Sequence, residues 1–178
     1  MKKILPLALL FCFCSKTKDS SDTVVLNYNE KQLGSSMVSL GDSIQFQVPI
    51  DWSMADSAFL NLIDSTIYQD GGLAKKVFQD TVREAFLVCV ENPPYQLNQD
   101  SLDLKSGKWL GLQHSDFQHN DLYFEQTVLQ NEQVVLFKVN IKKSVNSLPI
   151  SAVHYFIPRN TISSHAKMVE SSIASINN

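Results

Sequence analysis

Three observations predict an α+β domain. Apolar residues alternate strictly over 44–48 and again at Val135, Phe137, Val139 and Ile141, the period of a half-buried strand. Residues 54–68 and 162–176 carry apolar residues at helical spacing instead. Two strand candidates, 122–130 and 133–142, meet at Gln130-Asn131-Glu132, a hairpin by length, so they run antiparallel. Helices early and late around antiparallel strands make an α+β fold. A chain of 178 residues and 20.0 kDa has room for one domain.

The elements follow in order. Residues 23–28 offer a short edge strand, or the polar segment before them extends as far as Met37. Ile44, Phe46 and Val48 share one face of a strand that Pro49 and Asp51-Trp52 end. Ala55, Phe59, Leu62, Ile63 and Ile67 draw one helical stripe, stopped at Asp70-Gly71-Gly72. Leu73, Ala74, Val77, Phe78 and Val82 suggest a second helix. The continuous apolar run at 85–90, bounded by Pro93-Pro94, fits a central strand covered on both faces. Leu97, Leu102 and Leu104 suit a short helix, and Trp109, Leu110 and Leu112 a strand. Residues 150–157 form another strand, ended by Pro158. Ile162, Ala166, Val169, Ile173 and Ile176 recur at four, three, four and three, a closing helix capped by Thr161 or Ser163.

Composition excludes several classes. Hydrophobic residues at 44% and charged residues at 19% do not suit a coiled coil or a disordered chain. A net charge of −3 lacks the basic face of a nucleic-acid binder. No Gly-x-Ser-x-Gly, phosphate loop or Cys-x-x-Cys occurs, and no cofactor is expected.

The amino terminus reads as an address. Met1-Lys2-Lys3 is basic, residues 4–13 are an apolar run broken only by Pro6, and 15–22 are polar. That sequence of regions is a secretory signal over residues 1–13, too short to span a bilayer. A cysteine at its end resembles bacterial lipoprotein signals, in which cleavage precedes an acylated cysteine. Cys14 is preferred over the alternative Cys12 because the polar tether starts immediately after it. Cys-Ser-Lys with nearby Asp resembles lipoproteins of the Bacteroidetes type, many of which reach the outer membrane. The resemblance implies residues 14–40 as a lipid-anchored tether with the candidate edge strand, and 41–178 as the domain. Its partners would be the bilayer, through acyl chains worth about 0.8 kcal/mol per buried methylene, and a protein. Cleavage before Cys14 would take the 15 basic residues to 13 against 18 acidic ones, net −5. Cys89, in an apolar run, reads as a buried inert thiol.

Asp-Ser or Asp-Thr followed by Ala, Ile, Leu, Met, Thr or Val occurs at six of the twelve Asp residues, where composition predicts about one. The pattern resembles the O-glycosylation site of Bacteroidetes periplasmic proteins and implies Thr23, Ser43, Ser57, Ser65, Thr81 and Ser101 as acceptors. Asp-Ser is also turn and helix-cap chemistry, notably at Asp56-Ser57.

Residues 44–49 followed by Asp51-Trp52, and the closing strand, Pro158 and final helix, resemble the Mog1/PsbP-like group, which includes the DcrB-type lipoproteins. The resemblance spans about residues 44–176 and implies an α/β/α sandwich with a mainly antiparallel sheet. It also implies a binding or assembly module without a shared catalytic set.

The densest chemistry lies in His114-Ser115-Asp116-Phe117-Gln118-His119-Asn120-Asp121. Two imidazoles and two carboxylates could ligate a metal through His114, His119 and Asp116 or Asp121, although no recognised ligand spacing is present. The segment reads as a solvated loop, so truncating either histidine should change stability little. His154 and His165 read as half-buried or surface histidines. Trp52, Tyr68, Tyr95, Trp109, Tyr123 and Tyr155 either line a groove or, for most of them, fill the core. The favoured reading is a non-enzymatic envelope lipoprotein. Its rivals are a metal-dependent hydrolase and a lipoprotein immunity factor against a toxin.

Overall fold

The computed structural model describes residues 26–68, 72–93 and 109–178. Nine strands and two helices build the described part: β1 (Leu33–Leu40), β2 (Ile44–Pro49), β3 (Ser53–Met54), α1 (Ser57–Ile67), β4 (Ala74–Asp80), β5 (Ala85–Glu91), β6 (Leu110–His119), β7 (Leu122–Gln130), β8 (Val134–Lys142), β9 (Ser151–Pro158) and α2 (Ile162–Ala174). Seven strands form one sheet in the order β3-β4-β5-β9-β8-β7-β6, and β1 pairs with β2 apart from it. Every pairing is antiparallel. Among the described residues, no helix is long and apolar enough to cross a membrane.

The sheet has two apolar faces and two covers. On one side Leu87, Cys89, Phe137, Val139, Val153, Tyr155 and Ile157 pack with Phe46 and Val48 of β2 and Val169 and Ile173 of α2. On the other, Val88, Val90, Leu136, Ala152 and Phe156 pack with Ile63 and Ile67 of α1. Period-two alternation sends each strand's neighbours to opposite covers. Strand β5 lies inside the sheet and is buried on both faces, as its unbroken apolar run predicts. This is the mainly antiparallel α+β sandwich expected of the sequence.

Capping sets the helices. The Asp56 carboxylate accepts the Phe59 N–H at 2.8 Å and starts α1. Asp64, near the end of α1, accepts from the backbone of Gly72, of Leu73 at 3.0 Å and of Ala74 at 2.8 Å, and so ties the helix to β4. Helix α2 differs from expectation. Its N-cap Thr161 makes no side-chain cap; the hydroxyl donates instead to the Pro158 carbonyl at 3.1 Å, within a short 3-10 turn.

Three other expectations change. Residues 74–80 are β4, not a helix. A bulge between Ala74 and Lys76 puts Ala74 and Val77, three apart, against α1 while Phe78 turns to the α2 side. That break in alternation imitates helical spacing, and Val82, the last member of the supposed stripe, is exposed. The early strand is β1, beginning at Leu33, so the polar segment does not extend to Met37 and residues 26–29 are not strand. The segment holding His114 and His119 is β6, not a loop. The expected helix around Leu97, Leu102 and Leu104, and Tyr95, lie outside the described residues.

Candidate functional site

Strand geometry divides the histidine cluster. His114 and His119 are five residues apart on one strand, so they project to opposite faces. They cannot share a metal there, and Asp121 sits in the hairpin turn beyond them with φ 60°. Register supplies a different third member. Asp116 lies directly opposite Glu125 of β7, and His114 opposite Thr127. Ligand atoms of His114, Asp116 and Glu125 fall within 4.8 Å of one another.

Existing bonds already occupy much of this trio. His114 Nδ1 lies 3.1 Å from Thr127 Oγ1, and Nε2 lies 3.7 Å from Asp116 Oδ1. Lys142 Nζ pairs with Glu125 Oε2 at 3.0 Å. Burial pushes the Glu125 carboxyl up, but the Lys142 ammonium and the Asn140 amide outweigh it and hold it below the ordinary range. Asp116, Tyr123, Glu125, Lys142 and Val145 line a shallow depression of about 100 Å³. One imidazole and two carboxylates are ligand types that zinc accepts. The Lys142 ammonium on Glu125 Oε2 would repel a cation held at this site.

His119 has a structural task. Its Nε2 donates to the Ala174 carbonyl at 2.9 Å, and the Asn120 amide donates to the Ile176 carbonyl at 2.8 Å. The β6–β7 turn therefore satisfies carbonyls that the end of α2 leaves open. Replacing His119 by Ala removes one such bond, worth about 1 kcal/mol net. That exceeds the near-neutral effect expected of a histidine in a loop, and a denaturant melt of His119→Ala measures it.

The other two histidines are wholly buried, contrary to the half-buried reading. His154 Nδ1 meets the Tyr68 hydroxyl at 2.8 Å, with the rings stacked. Its Nε2 makes no hydrogen bond. Burial, and secondarily the charge of Lys138 opposite it in register, push the imidazole down to about 3. Burial likewise pushes Tyr68 up. His165 Nδ1 donates to the Thr161 carbonyl at 3.0 Å, since a carbonyl can only accept. Its Nε2 then faces Asp80 Oδ2 at 3.4 Å, an ion-pair distance without hydrogen-bond alignment, beside the Trp52 ring. Burial pushes Asp80 up, but donors from Arg83 and the Val82 N–H hold it below the ordinary carboxylate value.

Of the aromatic set, Trp52, Tyr68 and Tyr155 are core, while Trp109 and Tyr123 are half-buried. Cys89 is buried and its thiol is pushed up by desolvation, which makes it inert. Ser57, Ser65 and Thr81 are exposed and Ser43 is half-buried; Thr23 and Ser101, like Cys12 and Cys14, lie outside the described residues. Asp56, Asp64 and Asp80 of the repeated Asp-Ser/Thr pattern all bind backbone N–H groups, which is the cap and turn chemistry of that dipeptide.

Sequence reasoning missed Glu125, Thr127 and Lys142. They come to His114 and Asp116 only through register, which the two-residue turn at Asn120-Asp121 sets. Both turn residues have positive φ, 48° and 60°, as the favoured hairpin turn requires. An Asn-Asp pair between alternating segments was the available signal.

No family model matches the chain, and no curated protein matches it. Among solved structures it is similar to the solution structure of cyanobacterial PsbP (CyanoP) from Synechocystis sp. PCC 6803. The two share 9% identity over 79% of this chain and 90% of that one, with a TM-score of 0.46.

Proposed function

We propose that this chain is a non-enzymatic lipoprotein, held in the outer membrane by acyl chains on Cys14, that serves as a small binding or assembly module for a protein partner in the periplasm or at the surface. The observation that carries this reading is the use made of its histidines. Three of the four, His119, His154 and His165, hold the fold together rather than line a cleft. The anchor rests on the basic start, short apolar run, cysteine and polar tether. Alkyne fatty-acid labelling checks it: Cys14→Ser should lose the label. Label kept in Cys14→Ser and lost in Cys12→Ser would move the anchor to Cys12.

A second reading, a metal-dependent hydrolase, is favoured by the convergence of His114, Asp116 and Glu125. Zinc at about 100 times its dissociation constant would stabilise the folded state by about 2.7 kcal/mol. The first reading expects no such rise in melting temperature. A zinc-dependent rise that disappears in His114→Ala with Asp116→Ala would promote the hydrolase.

A further inference from the structure

The seven-stranded sheet ends very differently on its two sides. At one end β3 is only two residues long. At the other β6 runs ten residues, and among the described residues nothing pairs with its outer side. Proteins blunt such edges with short strands, charged side chains (lysine above all), proline or bulges, and Asp116 is the one carboxylate on β6. Strand β3 uses shortness. Strand β6 contains no Lys, Arg or Pro, and its single bulge lies at one end, between Gly111 and Gln113. Residues 113–119 remain in unbroken register with β7.

The turn fixes which backbone groups face out. In a two-residue hairpin the flanking residues, here His119 and Leu122, exchange both backbone hydrogen bonds. Alternation then turns the N–H and C=O of His119, Phe117 and Ser115 toward β7. Those of Gln118, Asp116 and His114 turn outward. Any strand added to this edge must bond to these three residues.

We infer that a second copy of this chain pairs antiparallel along β6, with the twofold axis at Ser115. Side-chain complementarity selects the register, because an imidazole N–H donates to a carboxylate. An axis at Asp116 sets two carboxylates face to face, and an axis at His114 sets two imidazoles face to face. Only the axis at Ser115 puts each His114 opposite the Asp116 of the other copy, twice over by symmetry. Those two pairs are at hydrogen-bonding positions and contribute about four main-chain bonds. His114 and Asp116 are both exposed, so they are placed to meet a partner. The inference concerns the folded domain and holds whether or not Cys14 is acylated.

Ser115 falls at a non-hydrogen-bonded pair, where opposed Cα atoms lie about 4.5 Å apart, within disulfide range. The test is oxidation of membranes from cells producing the full chain as Ser115→Cys, as Gln113→Cys and unsubstituted, read on non-reducing gels. The native cysteines are common to all three. Ser115→Cys should raise the covalent dimer several-fold over the unsubstituted chain, and Gln113→Cys should not. Adding Asp116→Arg to Ser115→Cys should lower the yield about tenfold, a cost of roughly 1.4 kcal/mol. Adding His114→Asp as well should restore it. Equal yields at 113 and 115, no gain at 115, or indifference to Asp116→Arg would each overturn the twofold pairing. Asp116 is exposed, so its replacement reads the interface without threatening the core.

Discussion

Acidification from pH 6.5 toward 5 should weaken the fold, by up to about tenfold in the folding equilibrium per pH unit, and His154 is the reason. Its folded value near 3 lies well below the ordinary histidine value of about 6.5. The group is neutral in the folded chain throughout this window, whereas the unfolded chain takes up the proton. The unfolded state therefore binds more protons, and stability falls as pH falls. The contribution is complete above about 6.5 and is lost on the way down to about 3. Chemical denaturation at several pH values gives the slope. His154→Gln should flatten it relative to the parent chain, since the other titrating groups are unchanged. If that variant does not fold, the imidazole resonance of the parent chain serves instead. A His154 ring that titrates near 6.5 in the folded protein would refute the prediction.

The second large effect is in α2. Ile173 is 2% exposed and belongs to the same core cluster as Phe46, Val153 and Tyr155. Ile173→Ala removes buried methyl and methylene groups and leaves space between helix and sheet, at a cost of about 2–5 kcal/mol. A denaturant melt measures it. A loss of only a few tenths would mean that the helix does not cover the sheet.

What was legible in the sequence was periodicity that nothing local disturbs. Ile44, Phe46 and Val48 alternate, and they lie in the core beneath α2. The spacing of Val169, Ile173 and Ile176 placed their stripe against the same core. The run at 85–90 was correctly a central strand. Strand β4 was misread because its bulge changes the phase at Ala74, so two strand faces combine into a false helical stripe. The start of β6 at Leu110 and Leu112 was legible as strand, but the stretch from His114 reads as a loop because polar side chains stand on both of its faces, which removes the apolar signal. The candidate site suffered from the same error. A loop would let His114 and His119 converge, whereas a strand separates them and brings Glu125 to His114 in the place of His119. Cross-strand neighbours have no local trace in sequence; they follow only once the turn and register are known. The buried His154 and His165 were illegible for a related reason, because their partners Tyr68 and Asp80 are far away along the chain.

The joining of distant segments has a consequence for how this protein is made. Gln45 exchanges backbone bonds with Asn177 at 3.0 and 2.9 Å, and Asn27 bonds to Glu170 across 143 residues. While residues 162–177 are still inside the ribosome, β2 lacks the helix that covers it and the partner of Gln45. Strands β1 and β2 can pair with each other as they emerge, but the apolar face of β2 and its edge at Gln45 stay open. Such long-range closure slows folding, because it waits until residues 162–177 have emerged. Until then the uncovered face of β2 is a surface that a chaperone can hold.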